Sequence, residues 1–202
     1  MKKLFPLILC IFLVSLLSGN KAFLEENENP KTALLLIDIQ NFYFPGGRSS
    51  LVNPEEASLK ASKLLNHFRQ KGLMVIHVRH ETQPGGEIHE HVKPLETEKV
   101  ISKNHANAFK DTDLLAYLRS NSIERLAICG MMTHMCVEAA TRAAHDFDFE
   151  CIVVHDACAT RSLKFQDREI PAEDVHYSTL ASLSRYYARV VDTETFLKES
   201  ED

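Results

Sequence analysis

No cluster of lysine and arginine stands anywhere in the 202 residues. With 23 basic against 28 acidic side chains the formal net charge is −5, a balance that argues against a nucleic-acid partner. No internal repeat and no low-complexity tract is present, which excludes a solenoid and leaves a globular reading. An uncleaved N-terminal membrane anchor is the second-ranked expectation for the start of the chain. The apolar stretch from Leu4 to Leu17 falls short of the roughly 20 residues that a permanent bilayer span requires.

That stretch has a different use. Lys2 and Lys3 precede it, and the small or polar run Ser18-Gly19-Asn20-Lys21-Ala22 follows, the order of a secretory signal peptide. The expected organisation is a signal peptide over 1–22, a polar linker over 23–31 (containing EENENP, residues 25–30) and one domain over 32–200. The expected location is therefore exported, periplasmic or secreted, with no stable membrane insertion after cleavage. Four cysteines remain in the mature chain. Export implies an oxidising space where cysteines often pair. Yet Cys129 and Cys151 lie in or beside apolar strand-like runs, where a thiol behaves as a small buried hydrophobe. Four cysteines allow three pairings; free thiols are the expectation.

The run Ala33-Leu34-Leu35-Leu36-Ile37 is apolar without alternation, as in a strand of a parallel sheet covered on both faces. Further strands are expected at Leu73–Val78, Lys99–Ser102, Arg125–Cys129, Cys151–Val154 and Arg189–Val191. Between Pro54 and Lys71 the residues Ala57, Ala61, Leu64, Leu65 and Phe68 recur at helical spacing. Pro54 suits a first turn and Gly72 a stop. Asp111–Arg119, Thr133–Phe147 and Ala172–Arg185 also read as helices. Strands alternating with helices mean an α/β domain: three layers, a mostly parallel six-stranded sheet and helices on both faces. Ligands of such sheets bind beyond the carboxyl ends of the strands. Asp38, His80, Lys103, Gly130 and Asp156 all fall at or just past those ends.

Cys136 lies near the start of a helix that follows a strand and a glycine. The positive end of a helix favours a thiolate, and the same turn offers N–H groups for an oxyanion. Any one buried cysteine is more often inert. Asp38 closes five apolar residues and would be costly to bury without a partner. Lys103 alone reads as a solvated surface group.

Together these residues resemble a known family. Leu35–Phe42 (LLIDIQNF), Lys103–Phe109 (KNHANAF) and Cys129–Glu138 (CGMMTHMCVE) are similar to the three signature blocks of the isochorismatase-like cysteine hydrolases. Asp156–Thr160 (DACAT) resembles that family's next strand end. The likeness spans nearly all of the chain from Lys31 onward. It implies a Rossmann-like fold with Cys136 as nucleophile, Asp38 as its proton acceptor and Lys103 favouring the thiolate. It also implies an oxyanion hole of the Met132 and Cys136 N–H groups, shaped by a cis peptide between Met131 and Met132. Gln40, Phe42, His80, Phe109 and Thr133 become the expected substrate contacts. Nicotinamidases of this family hold a metal with an aspartate and histidines after the second strand. The segment 78–91 here lacks their Asp-x-His pattern. His80, His89 and His91 therefore read as part of a polar loop, and neither metal nor cofactor is expected.

The expected activity is hydrolysis of a C–N bond in a small amide, ureide or carbamoyl compound through a thioester. Two alternatives remain: vinyl-ether cleavage of the isochorismatase type, and a secreted binding protein without turnover. Cys136 favours C–N cleavage, because isochorismate hydrolysis can proceed without that cysteine. Resemblance also implies a homo-oligomer. A disulfide between Cys136 and Cys158 would act as a redox switch on the nucleophile.

Overall fold

The computed structural model describes residues 30–200. The expected signal peptide and nearly all of the linker lie outside the described residues.

The chain runs β1 (Thr32–Ile37), α1 (Pro54–Gln70), β2 (Met74–His80), β3 (Lys99–Lys103), α2 (Leu114–Ser120), β4 (Arg125–Met131), α3 (Glu138–Asp146) and β5 (Glu150–Ala159). A hairpin of β6 (Leu163–Phe165) and β7 (Arg168–Ile170) follows, then α4 (Ala172–Tyr186), β8 (Arg189–Val191) and α5 (Thr193–Glu199). Six strands form one sheet in the order β3-β2-β1-β4-β5-β8, and every neighbouring pair is parallel.

The order explains the layers. From β1 the chain steps outward through β2 to β3, returns to β4 on the other side of β1, and steps outward again to β5 and β8. Right-handed crossovers taken in opposite directions place their helices on opposite faces. Accordingly α1 packs with α5 across β5, while α3 packs with α4. Leu34, Leu35 and Ile37 of β1 are fully buried between these layers, which accounts for their unbroken apolarity. The strand order reverses between β1 and β4, and a crevice opens at the carboxyl ends of strands at such a point.

Three local features shape that crevice. Gly130, at φ +126°, lies so close to β1 that an added Cβ would stand 2.0 Å from the Ile37 carbonyl oxygen; only glycine fits. After β4 the chain makes a π-helical turn over Thr133–Val137 before α3 begins, so the helix expected from Thr133 starts five residues later. β5 continues past Val154 to Ala159, and Ile128 pairs with Val153 while Gly130 pairs with Cys158. The extra residues bulge at His155 and Asp156. Asp156 is placed there as a structural tie: Oδ1 accepts from the Thr193 N–H (2.8 Å) and hydroxyl (2.7 Å), and Oδ2 pairs with Lys60 at 3.2 Å. It joins α5 and α1 to the sheet rather than entering the crevice.

Candidate active site

Three strand ends bring three side chains together. Asp38 leaves β1 in a left-handed conformation (φ 50°), its N–H donating to the Val78 carbonyl at 2.9 Å. Lys103 ends β3, in register with His80 at the end of β2. Cys136 sits in the π-helical turn after β4. Lys103 Nζ donates to Asp38 Oδ2 at 2.7 Å and stands 3.3 Å from Cys136 Sγ. Relative exposures are 0% for Asp38, 2% for Lys103 and 6% for Cys136, so all three are almost wholly withdrawn from solvent. Asp38 interacts with Cys136 electrostatically, but its Oδ1 has no partner at hydrogen-bonding geometry among the described residues. A buried carboxylate oxygen left in that state is ready to accept a proton.

The electrostatics differ from those expected of a thiol at a helix start. Burial pushes the Cys136 thiol up to about 12, the Asp38 carboxylate adds to the rise, and Lys103 only partly opposes them. Burial also raises Asp38 above the ordinary carboxylate range, against the pull of Lys103. Both shifts describe one condition: the pocket favours a neutral thiol, and the carboxylate is the group able to take its proton. The sequence suggested a resting thiolate. Burial beside Asp38 works against that form, with Lys103 the group that favours it.

The turn around Cys136 is tied in place. The Met132 carbonyl accepts from the Met135 (3.0 Å) and Val137 (3.3 Å) N–H groups, and the peptide between Met131 and Met132 is cis. Thr133 Oγ1 lies 3.3 Å from the Ala159 carbonyl oxygen, to which it donates, and 2.9 Å from His176 Nδ1. His134 Nδ1 lies 2.6 Å from Thr160 Oγ1. Thr133, expected at the substrate, is fully buried and spends its hydroxyl binding the turn to β5 and α4.

The other expected contacts divide. His80 is half-buried beside the triad, with charge interactions to Lys103 and Asp38; burial and then the ammonium depress its pKa. Its buried Nδ1 has no partner among the described residues. Phe42 packs tilted against Tyr43, ring centroids 4.1 Å apart, in the segment that follows β1. Gln40 is placed otherwise. Its Oε1 accepts from the His80 N–H (2.8 Å) and its Nε2 donates to the carbonyls of His80 (2.9 Å) and Gly86 (2.7 Å). Both amide hydrogens are thus committed to the loop after β2, and none remains for a ligand. Phe109 is also placed away from the thiol. It packs on Phe147 and Phe149 at centroid distances of 5.4 and 6.4 Å, beyond the C-terminal end of α3, whereas Cys136 lies before its start.

His89 stacks on Phe44 (3.6 Å), and His91 Nδ1 lies 2.8 Å from Ser58 Oγ. Among the described residues no three His, Cys, Asp or Glu side chains stand together as a metal site. Cys129, Cys136, Cys151 and Cys158 are all free and buried. Cys158 donates to the Val154 carbonyl at 3.4 Å and faces Cys129 electrostatically, a placement that gives the Cys136–Cys158 switch no support.

Tyr43 is the residue that sequence reasoning missed. It is itself buried; burial raises its phenol, and the charges of Asp38 and Cys136 raise it further against those of Arg161 and Arg48. The aromatic run Phe42-Tyr43-Phe44 directly after the Asp38 block was its only signal. A cavity of about 630 Å³ lies next to the turn, lined by Val52, Lys60, His155, Cys158, Thr160 and His176 among others. None of the triad lines it.

The family model of the isochorismatase domain matches residues 32–195. An uncharacterised isochorismatase family protein of Bacillus subtilis, YddQ, is 49% identical over 178 residues, covering 83% of this chain and 99% of that protein. A maleamate amidohydrolase of Pseudomonas putida is 26% identical, covering 84% and 86%. A crystal structure of an isochorismatase from Pseudomonas putida superposes with a TM-score of 0.79 at 35% identity, covering 82% of this chain and 89% of that one.

Proposed function

The chain belongs to the isochorismatase family of hydrolases, and from that premise we propose that it cleaves the C–N bond of a small amide, ureide or carbamoyl compound through a thioester on Cys136. The observation that carries the reading is the buried contact of one ammonium with both a carboxylate and a thiol, at 2.7 and 3.3 Å. The amidohydrolase among the relatives supports C–N rather than vinyl-ether cleavage.

The chemistry follows from the proton inventory. Asp38 accepts the thiol proton as Sγ bonds to the carbonyl carbon. The oxyanion forms against the Met132 and Cys136 N–H groups. Lys103, beside both groups, stabilises the negative charge as it passes from Asp38 to the sulfur and on to the oxyanion. Asp38 then gives its proton to the leaving nitrogen, the C–N bond breaks, and ammonia or an amine departs. Water attacks the thioester, Asp38 takes its proton, and the acid leaves as the thiol is restored. Asp38 is needed twice, to accept the thiol proton on attack and to deliver it to the leaving nitrogen. Asp38→Asn should therefore lower kcat by about 10²-fold or more.

The test is ammonia or amine release from a panel of small carboxamides, ureides and carbamoyl amino acids, with Cys136→Ala alongside. Release that depends on Cys136 is the expected result. Silence of the folded, reduced protein across the panel would overturn the C–N reading in favour of vinyl-ether cleavage or binding without turnover.

A further inference from the structure

The turn that carries Cys136 is held by side chains as well as by its own backbone. Thr133 follows Met132 directly and precedes Cys136 by three residues. Whatever holds its side chain therefore steadies the stretch bearing the thiol and both proposed oxyanion donors. The Thr133 hydroxyl donates to the Ala159 carbonyl at 3.3 Å and lies 2.9 Å from His176 Nδ1. A hydroxyl has one proton to give. With that proton on Ala159, the second bond must run from the Nδ1–H of His176 to the hydroxyl oxygen. One residue on, His134 Nδ1 lies 2.6 Å from the Thr160 hydroxyl, which ties the turn to the end of β5 but not to α4.

The support behind His176 is well packed. It stands on α4, whose Val175, Thr179, Leu180 and Leu183 are buried, and α4 packs against the π-helical turn. Burial, and then His155, lower the His176 pKa, so at neutral pH the ring is uncharged and carries one N–H. That hydrogen is spent on Thr133. Polar satisfaction alone does not require the bond. The hydroxyl already has the Ala159 carbonyl, and the half-buried imidazole lines the cavity beside the turn, where water could serve it. What the bond adds is a link from a packed helix to the residue beside the proposed oxyanion donor.

We propose that His176 is a positioning residue. Through the Thr133 hydroxyl it holds the turn so that Cys136 stays withdrawn from water beside Asp38 and Lys103, with the Met132 and Cys136 N–H groups kept in place. Its effect on catalysis rests on the amidase reading; its hold on the thiol does not. When the tie is cut the turn loosens, Sγ gains water, and the burial that raises the thiol is partly lost. Cys136 then reacts more readily with a simple electrophile at neutral pH.

His176→Leu, Thr133→Val and the double variant test this by the rate at which iodoacetamide modifies Cys136 at neutral pH. Peptide mapping reads the rate, and circular dichroism checks folding. One hydrogen bond is worth about three- to tenfold, so each single variant should react faster than wild type by that factor. The double variant should be no faster than either, because both changes cut the same bond. His176→Asn has nearly the shape of His176→Leu but keeps an N–H donor near the place of Nδ1, so it should stay close to the wild-type rate. Where an amide is cleaved, His176→Leu should lower kcat by a similar factor and leave KM alone. Faster alkylation in a protein that cleaves no amide supports the tie while the amidase reading falls. A wild-type alkylation rate in folded His176→Leu overturns the proposal, as do single effects that multiply in the double variant. Should His176→Leu not fold, Thr133→Val decides, and a wild-type rate there overturns it.

Discussion

At Cys136, burial and a neighbouring carboxylate act in one direction and a single ammonium in the other, and burial prevails. The thiol at about 12 sets how the residue should behave toward a simple electrophile. Iodoacetamide reacts with thiolates, so the modification rate at Cys136 should rise about tenfold per pH unit from roughly 7 to 9.5, with no plateau. Asp38→Asn removes one of the two causes that raise the thiol and should speed alkylation at neutral pH. Peptide mapping of the modified protein reads both. A plateau with a midpoint near 7 would mean that Lys103, rather than burial and Asp38, controls the thiol. The residue types of the site were legible in sequence, because Asp38, Lys103 and Cys136 each close or follow an apolar strand. Their electrostatics were not, since desolvation depends on how completely the three are covered. Gln40 and Phe109 mark a second limit. Position in a motif does not reveal whether an amide is already committed to backbone or a ring already packed against two others.

Among the elements, the loop from β2 to β3 is tied down by a partly buried network around Glu98. Glu98 accepts from Arg69 Nε at 2.7 Å and Nη2 at 2.8 Å and from the Leu95 N–H at 2.8 Å, and it lies 2.9 Å from His77 Nε2 on β2. Burial disfavours the Glu98 charge, but these donors outweigh it and hold the carboxyl at about 2. Burial, opposed by Glu98, lowers His77. Both shifts act in the same sense against acid. His77 binds its proton more readily unfolded, so its contribution declines as pH falls through about 6.5, the ordinary histidine value. Glu98 contributes fully above its unfolded value near 4.5 and loses that contribution as pH falls toward 2. Thermal unfolding should therefore show Tm falling below about pH 6.5 and more steeply below about 4.5. Glu98→Gln should lower Tm at neutral pH and flatten the steeper limb; an unchanged acid limb would contradict the assignment. The strands and the long helices α1 and α4 were readable from apolar runs and helical spacing. The π-helical turn, the β5 bulge and the β6–β7 hairpin were not. The first two depend on pairing and packing across the sheet, and the exposed hairpin carries no buried face to leave a periodic trace.

For the molecule as a whole, topology explains why Lys103 and Cys136, far from Asp38 along the chain, converge on it. β1 lies centrally in the sheet, the chain leaves it in opposite directions, and the reversal beside β4 creates the crevice that Asp38 and Cys136 share. Alternating strands and helices foretold that architecture, and three spaced motifs foretold which strand ends would bring side chains together. The substrate was not legible, because the loops that follow the strand ends carry no periodic pattern that describes their course. A thioester on Cys136 is tested most directly by adding hydroxylamine during turnover of any amide the protein cleaves. A hydroxamate should form at the expense of the free acid, with neither product appearing in Cys136→Ala. Hydrolysis that continues in Cys136→Ala, with no hydroxamate in either protein, would contradict the thioester.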